Sequence, residues 1–132
     1  MRIEFAARAA EARGVSPAEH DDRRVHQRLE LLGSCEVREA GNGERVGVLE
    51  DLSLGGFRLG TPRVIAVGVR KEFLLGLPAP LESGERELRV AAECRWLRAQ
   101  ARGPGFVCGF EFTADNPAEL KAQVGQVLHA LG

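Results

Sequence analysis

At 132 residues, with 44% apolar and 28% charged side chains, the chain has the length of one domain and the balance of an ordinary globular protein. Its formal net charge of −1 lacks the basic excess of proteins that hold nucleic-acid backbone non-specifically, so any anion site has to be a local cluster. The opening Met1-Arg2-Ile3-Glu4-Phe5 is unlike a secretory signal, and no apolar run approaches the ~20 residues that span a bilayer, so a cytoplasmic location without membrane insertion is expected.

In chain order, residues 1–13 carry Ile3, Phe5, Ala6, Ala9 and Ala10 on a helical stripe ending at Gly14. Ser16-Pro17-Ala18-Glu19 has the form of a capping box with proline at the first helical position. Residues 1–20 are therefore expected to form a short helical extension. Arg23, Arg24 and Arg28 follow, in a loop before the first strand. From there the period becomes two. Residues 29–38 end in a strand-like stretch, and Gly41-Asn42-Gly43 signals a hairpin. Val46 and Val48 alternate toward Asp51, and Phe57 and Leu59 continue the alternation. Leu88, Val90, Ala92, Cys94 and Trp96 fall on one face of a further strand, opposite Arg89, Glu93 and Arg95. That alternation predicts Trp96 in the core, not as a stacking platform. Pro78-Ala79-Pro80 with Ser83-Gly84 reads as a loop between strands, and Gly103-Pro104-Gly105 breaks the chain again. Phe106, Cys108, Phe110 and Phe112 then line one face, opposite Val107 and Glu111.

Asn116-Pro117-Ala118-Glu119 predicts a helix start with Asn116 as N-cap, and Leu120, Val124, Val127, Leu128 and Leu131 form its apolar stripe. Strands at this spacing without intervening helices favour a mainly β domain, a closed antiparallel barrel or a sandwich. Cys35, Cys94 and Cys108 contain no C-x-x-C pair and fit reduced thiols, with Cys94 and Cys108 on apolar strand faces.

Two stretches carry chemistry. Arg24-Val25-His26-Gln27-Arg28 sets two guanidiniums four residues apart, with Arg23 directly before them, and Asp51-Leu52-Ser53-Leu54-Gly55-Gly56 places a carboxylate and a hydroxyl two residues apart before a glycine turn. An arginine fork bonds phosphate oxygens two at a time, pairs with guanine O6 and N7, and stacks on a purine face. A carboxylate accepts from the guanine N1–H and N2 amine. Ser53 points to the same side of a strand as Asp51, and Gly55 and Gly56 permit unusual torsions and close approach.

The ordered pair, R-x-x-x-R then D-x-S-x-x-G, resembles the signature of the PilZ domain family, receptors for cyclic di-GMP. The resemblance runs from about residue 21 to 132. It implies a six-stranded antiparallel β-barrel over about 29–113 and a C-terminal helix over about 117–131. By resemblance Arg24 and Arg28 grip the ligand, and Asp51, Ser53 and Gly56 form the floor of its site. An arginine at Arg23 goes in the family with an intercalated ligand dimer. Arg58, just past the turn, could also face the site, and Gly55 belongs to the same turn.

Plainer readings exist for each motif. Arg23, Arg24 and Arg28 could be a solvated cluster paired with Asp21, Asp22 and Glu30, and the Asp51 motif a strand end closed by a side-chain turn. The two motifs in order outweigh them. The function implied is a non-enzymatic cyclic di-GMP receptor signalling through a protein effector. The alternative is a PilZ-fold adaptor that binds proteins and not the nucleotide. A nucleic-acid-binding barrel would need exposed stacking aromatics, whereas the chain has no tyrosine and one tryptophan. No cofactor, metal site or DNA or RNA partner is expected: His20 beside Asp21 and Asp22 has no second ligand cluster, and Ser53 lacks a nucleophile-elbow context.

Overall fold

The computed structural model describes residues 32–131; residues 1–20 and the arginines at 23, 24 and 28 lie outside the described residues. Six strands, β1 (Glu36–Glu39), β2 (Arg45–Ser53), β3 (Gly56–Thr61), β4 (Arg70–Gly76), β5 (Glu87–Ala99) and β6 (Phe106–Phe112), precede one helix, α1 (Leu120–Ala130). They close into an antiparallel barrel in the order β1-β2-β3-β6-β5-β4, with β1 pairing both β2 and β4. Closure leaves no sheet edge.

The strand-like stretch expected to end at residue 38 is a short strand from Glu36 to Glu39, preceded by a turn in which Cys35 N–H donates to Leu32 O at 2.8 Å. The side chain of Leu32 is fully buried. β4 carries little alternation in its Arg70-Lys71-Glu72-Phe73-Leu74-Leu75-Gly76 sequence, and it is a strand because β1 and β5 flank it.

Three departures from strict alternation shape the barrel. Pairing shifts register between Val37 and Arg38 on β1, between Leu49 and Asp51 on β2, and between Cys94 and Trp96 on β5. On β2 the residues in the core are therefore Val46, Leu49 and Leu52, and Val48, expected to share a face with Val46, stands outward opposite Glu36. On β5, Leu88, Val90, Ala92 and Cys94 are buried as expected, but the bulge at Arg95 turns Trp96 out of the core and brings Leu97 against it. A bulge inserts one unpaired residue, and each insertion reverses the face presented afterwards.

The core is built on Phe57, Phe73 and Phe110, all essentially inaccessible. Phe57 stacks on Phe110 at 5.1 Å between centroids, and Phe73 meets Phe57 and Phe110 edge-on at 5.7 and 5.0 Å. Each buried phenylalanine contributes about 1.5–3 kcal/mol of transfer free energy. Phe112 packs against this cluster from its margin. Cys35, Cys94 and Cys108 are buried and form no disulfide among the described residues; burial pushes the Cys35 thiol up, and the hydrogen bond with Cys94, followed by burial, pushes the Cys108 thiol up.

The helix packs on the barrel through Leu120, Val124 and Val127, with Leu128 and Leu131 partly buried. Its start differs from expectation. Helical geometry begins at Leu120, and Glu119 stands at the cap without a side-chain hydrogen bond. Asn116 is spent elsewhere: its Oδ1 accepts from Ala91 N–H and its Nδ2 donates to Ala91 O, both at 2.7 Å, and also to Thr113 O at 2.9 Å. The amide thus ties the chain leaving β6 to the backbone of β5 by mimicking a peptide partner.

Candidate functional site

The β2–β3 hairpin presents the second motif. Ser53 pairs with Gly56, and Leu54 and Gly55 form the two-residue loop between them. The chain has no positive-φ residue at either loop position, so the loop is not one of the primed turns that demand left-handed backbone. The torsional freedom anticipated for Gly55 and Gly56 is not used. What Gly56 supplies is proximity: a Cβ there would run into the carbonyl oxygen of Phe110 on β6. Gly55 has open space around it, and its carbonyl accepts from Phe112 N–H at 2.9 Å.

The Ser53 hydroxyl braces the loop, accepting from Gly55 N–H and donating to Gly56 O, each at 3.3 Å. Asp51 is 4% exposed, and its Oδ1 accepts from Leu52 N–H at 2.9 Å. Without the Glu50 bulge, Asp51 would share the inward face of Leu49. With it, Asp51 and Ser53 stand on the outer face together.

Strand register then extends this face across four strands. Asp51 pairs with Arg58, Arg58 with Gly109, and Gly109 with Trp96, giving one row over β2, β3, β6 and β5. Arg58, proposed from sequence as a neighbour of the motif, is in the middle of it. Its Nε lies 3.8 Å from Glu50 Oε1 and is buried without a hydrogen bond among the described residues. Glu50 itself lies over Gly60 and accepts from Gln100 Nε2 at 3.0 Å. The Trp96 indole lies across Gly109 and fills the space above its Cα; a Cβ there would meet the indole nitrogen. The Arg98 guanidinium sits over the indole, 4.5 Å from its centroid.

The adjacent row runs Ser53, Gly56, Glu111, Glu93 and Arg70. Arg95, the bulged residue of β5, bridges both acids of that row, at 3.0 Å to Glu93 and 3.5 Å to Glu111. Hydrogen bonds from Arg70 and Arg95 hold the Glu93 carboxyl below the ordinary range. The face therefore offers a buried-edge carboxylate, a partly engaged guanidinium and an aromatic plane, set in a charged surround. Such a combination can read a purine edge and hold an anion.

Trp96 is the residue the periodicity misplaced. The sequence carries no signal for this, because Arg95 continues the polar positions of Arg89 and Glu93 in phase, and the contact with Gly109 comes from the pairing of β5 with β6. Elsewhere, an apolar groove of about 350 Å3 runs between Pro78–Glu82 and the end of α1, and no motif residue lines it. Among the described residues no cluster of three His, Cys, Asp or Glu could hold a metal, and no helix is long and apolar enough to cross a membrane.

The fold and this outer face together define a small β-barrel recognition domain. The PilZ domain family model matches residues 22–130. The chain belongs to the PilZ domain family, whose members are cyclic di-GMP receptors and adaptors. Among solved structures, the barrel is similar to the Bacillus subtilis inhibitor of motility MotI/DgrA, with a TM-score of 0.57 at 14% identity. That alignment covers 73% of this chain and 46% of the Bacillus protein, so this chain spans less than half its length, and at such identity the likeness shows the fold alone. The PilZ domain of CeSA from a cellulose-synthesizing bacterium is 27% identical, with a TM-score of 0.46 over 74% of this chain and 89% of that domain. No curated protein matches the sequence.

Proposed function

We propose that this chain is a cytoplasmic cyclic di-GMP receptor without enzymatic activity, and that it signals by changing the surface it shows to a protein effector. The ligand is held between Arg23, Arg24 and Arg28 and the outer face carrying Asp51, Ser53, Gly55, Gly56 and Arg58, with no cofactor required. The observation that carries the reading is the row from Asp51 through Arg58 to Trp96: a guanine whose N1–H and N2 amine meet Asp51 finds a guanidinium and an indole in the same row. Trp96 joins the site on this reading as a stacking surface, which its position outside the core supports. The path of the chain supports it too. Leu49 N–H donates to Cys35 O at 2.9 Å, so the segment that follows the arginines enters the barrel beside the strand that carries Asp51.

Closure of the arginine segment over a dianion is a population shift driven by the ligand's greater affinity for the closed form. Titration calorimetry with cyclic di-GMP, with GTP and cyclic di-AMP as controls, tests it. Selective, saturable binding is expected, giving the one-or-two-ligand stoichiometry directly. Arg24→Ala and Arg28→Ala should each weaken it by about 1.5–3 kcal/mol, roughly 10- to 150-fold, with the fold intact. Unfolding of Arg28→Ala would instead make that arginine structural.

One observation favours the second reading, a PilZ adaptor that binds protein and no nucleotide. The Ser53 hydroxyl already has a structural task in the β2–β3 loop, so the motif has a use without ligand. Absence of any heat with folded protein at high micromolar cyclic di-GMP would select that reading.

A further inference from the structure

Trp96 has two faces, and neither is open. One lies on Gly109, so closely that a Cβ at that position would meet the indole nitrogen. The other is covered by the Arg98 guanidinium, 4.5 Å from the ring centroid. A planar ligand can therefore stack on this indole only where Arg98 now sits. The other constraints on Arg98 are weak. It is exposed, and among the described residues it has no acidic partner. The neighbouring cations are differently placed: Arg95 is bound to Glu93 and Glu111, and Arg70 to Glu93. Among the described residues, Arg98 is the one cation of this part of the face held by an aromatic ring instead of a carboxylate.

We infer that Arg98 is a displaceable place-holder on Trp96, occupying the position of a purine ring and leaving when the base of the nucleotide arrives. The inference rests on the receptor reading above. Its physical basis is that a guanidinium and a purine are both planar and compete for the same face of the same indole. An exposed cation–π contact is weak enough to be displaced, yet strong enough to keep the indole from water while the site is empty. The arrangement also favours a purine over a smaller planar group, because only the larger ring recovers the stacking that is lost when the guanidinium leaves.

The chain has a single tryptophan, so its fluorescence reports on Trp96 alone. The test compares wild-type protein with Arg98→Ala by acrylamide quenching and by cyclic di-GMP titration. The titration is run at about 0.5 M salt, where the general attraction of Arg98 for a dianion is largely screened. Without ligand, Trp96 of the variant should be quenched more readily than that of the wild type. With saturating ligand the two should be quenched alike. The variant should bind about two- to fivefold tighter, the ratio that corresponds to an exposed cation–π contact. Equal or weaker binding by a folded variant, or unchanged quenching in the free state, overturns the place-holder. If neither protein binds, the receptor reading falls and this inference falls with it; binding by the wild type with no tightening in the variant removes this inference only.

Discussion

Asp51 and Trp96 stand at opposite ends of one row on the outer face of the barrel, and each is turned outward by a bulged residue immediately before it, Glu50 and Arg95 respectively. Without either bulge the side chain would point into the core among Leu49 or Cys94. Both bulged residues are charged and engaged on the outer face, Glu50 with Gln100 and Arg58, Arg95 with Glu93 and Glu111. The bulges therefore have local anchors, and the face they create follows from strand geometry instead of loop conformation. Sites carried on strands are held more closely than sites on loops.

If Trp96 stacks on a base, its replacement should be felt in binding well beyond its effect on the fold. Trp96→Ala is expected to weaken cyclic di-GMP binding by about 1–3 kcal/mol, the usual range for loss of one aromatic platform. Trp96→Phe should recover part of that loss, because the ring plane remains. Calorimetry on both variants, with circular dichroism as a check of folding, decides it. Equal affinities for wild type, Trp96→Phe and Trp96→Ala would remove Trp96 from the site.

The two glycines of the hairpin should behave differently under the same small change. Gly56→Ala drives a Cβ into the Phe110 carbonyl, backbone against backbone, with no flexible side chain to yield. A loss of about 1–3 kcal/mol in urea unfolding is expected, the scale of overpacking in a fixed structure. Gly55→Ala meets nothing and requires no unusual torsion, so it should fall within about 0.5 kcal/mol of wild type. If Gly55→Ala nevertheless weakens ligand binding without loss of stability, close approach of the ligand to that backbone is the reason glycine is there.

Much of this was legible in the sequence because most strands keep their period. Leu88 to Cys94 alternate without a break, and so the inward face of β5 is read correctly up to the residue before the bulge. Phe57, Cys108 and Phe110 were likewise legible as core. The errors share one cause. Counting in twos across a bulge misplaces Val48 and Trp96, because a single extra residue inverts everything after it. β4 was not distinguished because its burial comes from its neighbours β1 and β5, not from its own alternation. Asp51, Ser53 and Arg58 could be brought together from spacing alone, since all three lie in or beside one hairpin. Their alignment with Trp96 could not, because it depends on β6 lying between β3 and β5, a pairing set by barrel closure.

Asn116 illustrates a different limit. Asparagine before proline reads locally as a helix cap, but its amide satisfies both backbone groups of Ala91 across the chain. Asn116→Ala should therefore destabilise the domain by about 1–3 kcal/mol, as expected when a partly buried backbone donor, the Ala91 N–H, loses its partner. Asn116→Ser, an equally good cap residue but too short to bridge both groups, should be nearly as damaging. A helix-cap role predicts the opposite, that serine rescues. Urea midpoints of the two variants separate these outcomes.

On the outer face, Glu93 adds a pH dependence of stability, whose sign follows from its lowered carboxyl. Hydrogen bonds from Arg70 and then Arg95 lower its carboxyl in the folded protein from an ordinary value of 4.5. A carboxyl lowered by folding stabilises the native state fully at pH above its unfolded value, and that contribution disappears as the pH falls through the lower folded value. Replacement by glutamine removes the titration while keeping a similar shape. The stability difference between wild type and Glu93→Gln should therefore be constant from neutral pH to about pH 5, and shrink at lower pH. It should also decrease with salt, since the side chains of Arg70 and Arg95 are 68% and 25% exposed. Urea unfolding of both proteins across this range is the measurement. A difference that persists undiminished in acid would mean that Glu93 contributes through packing and not through its charge.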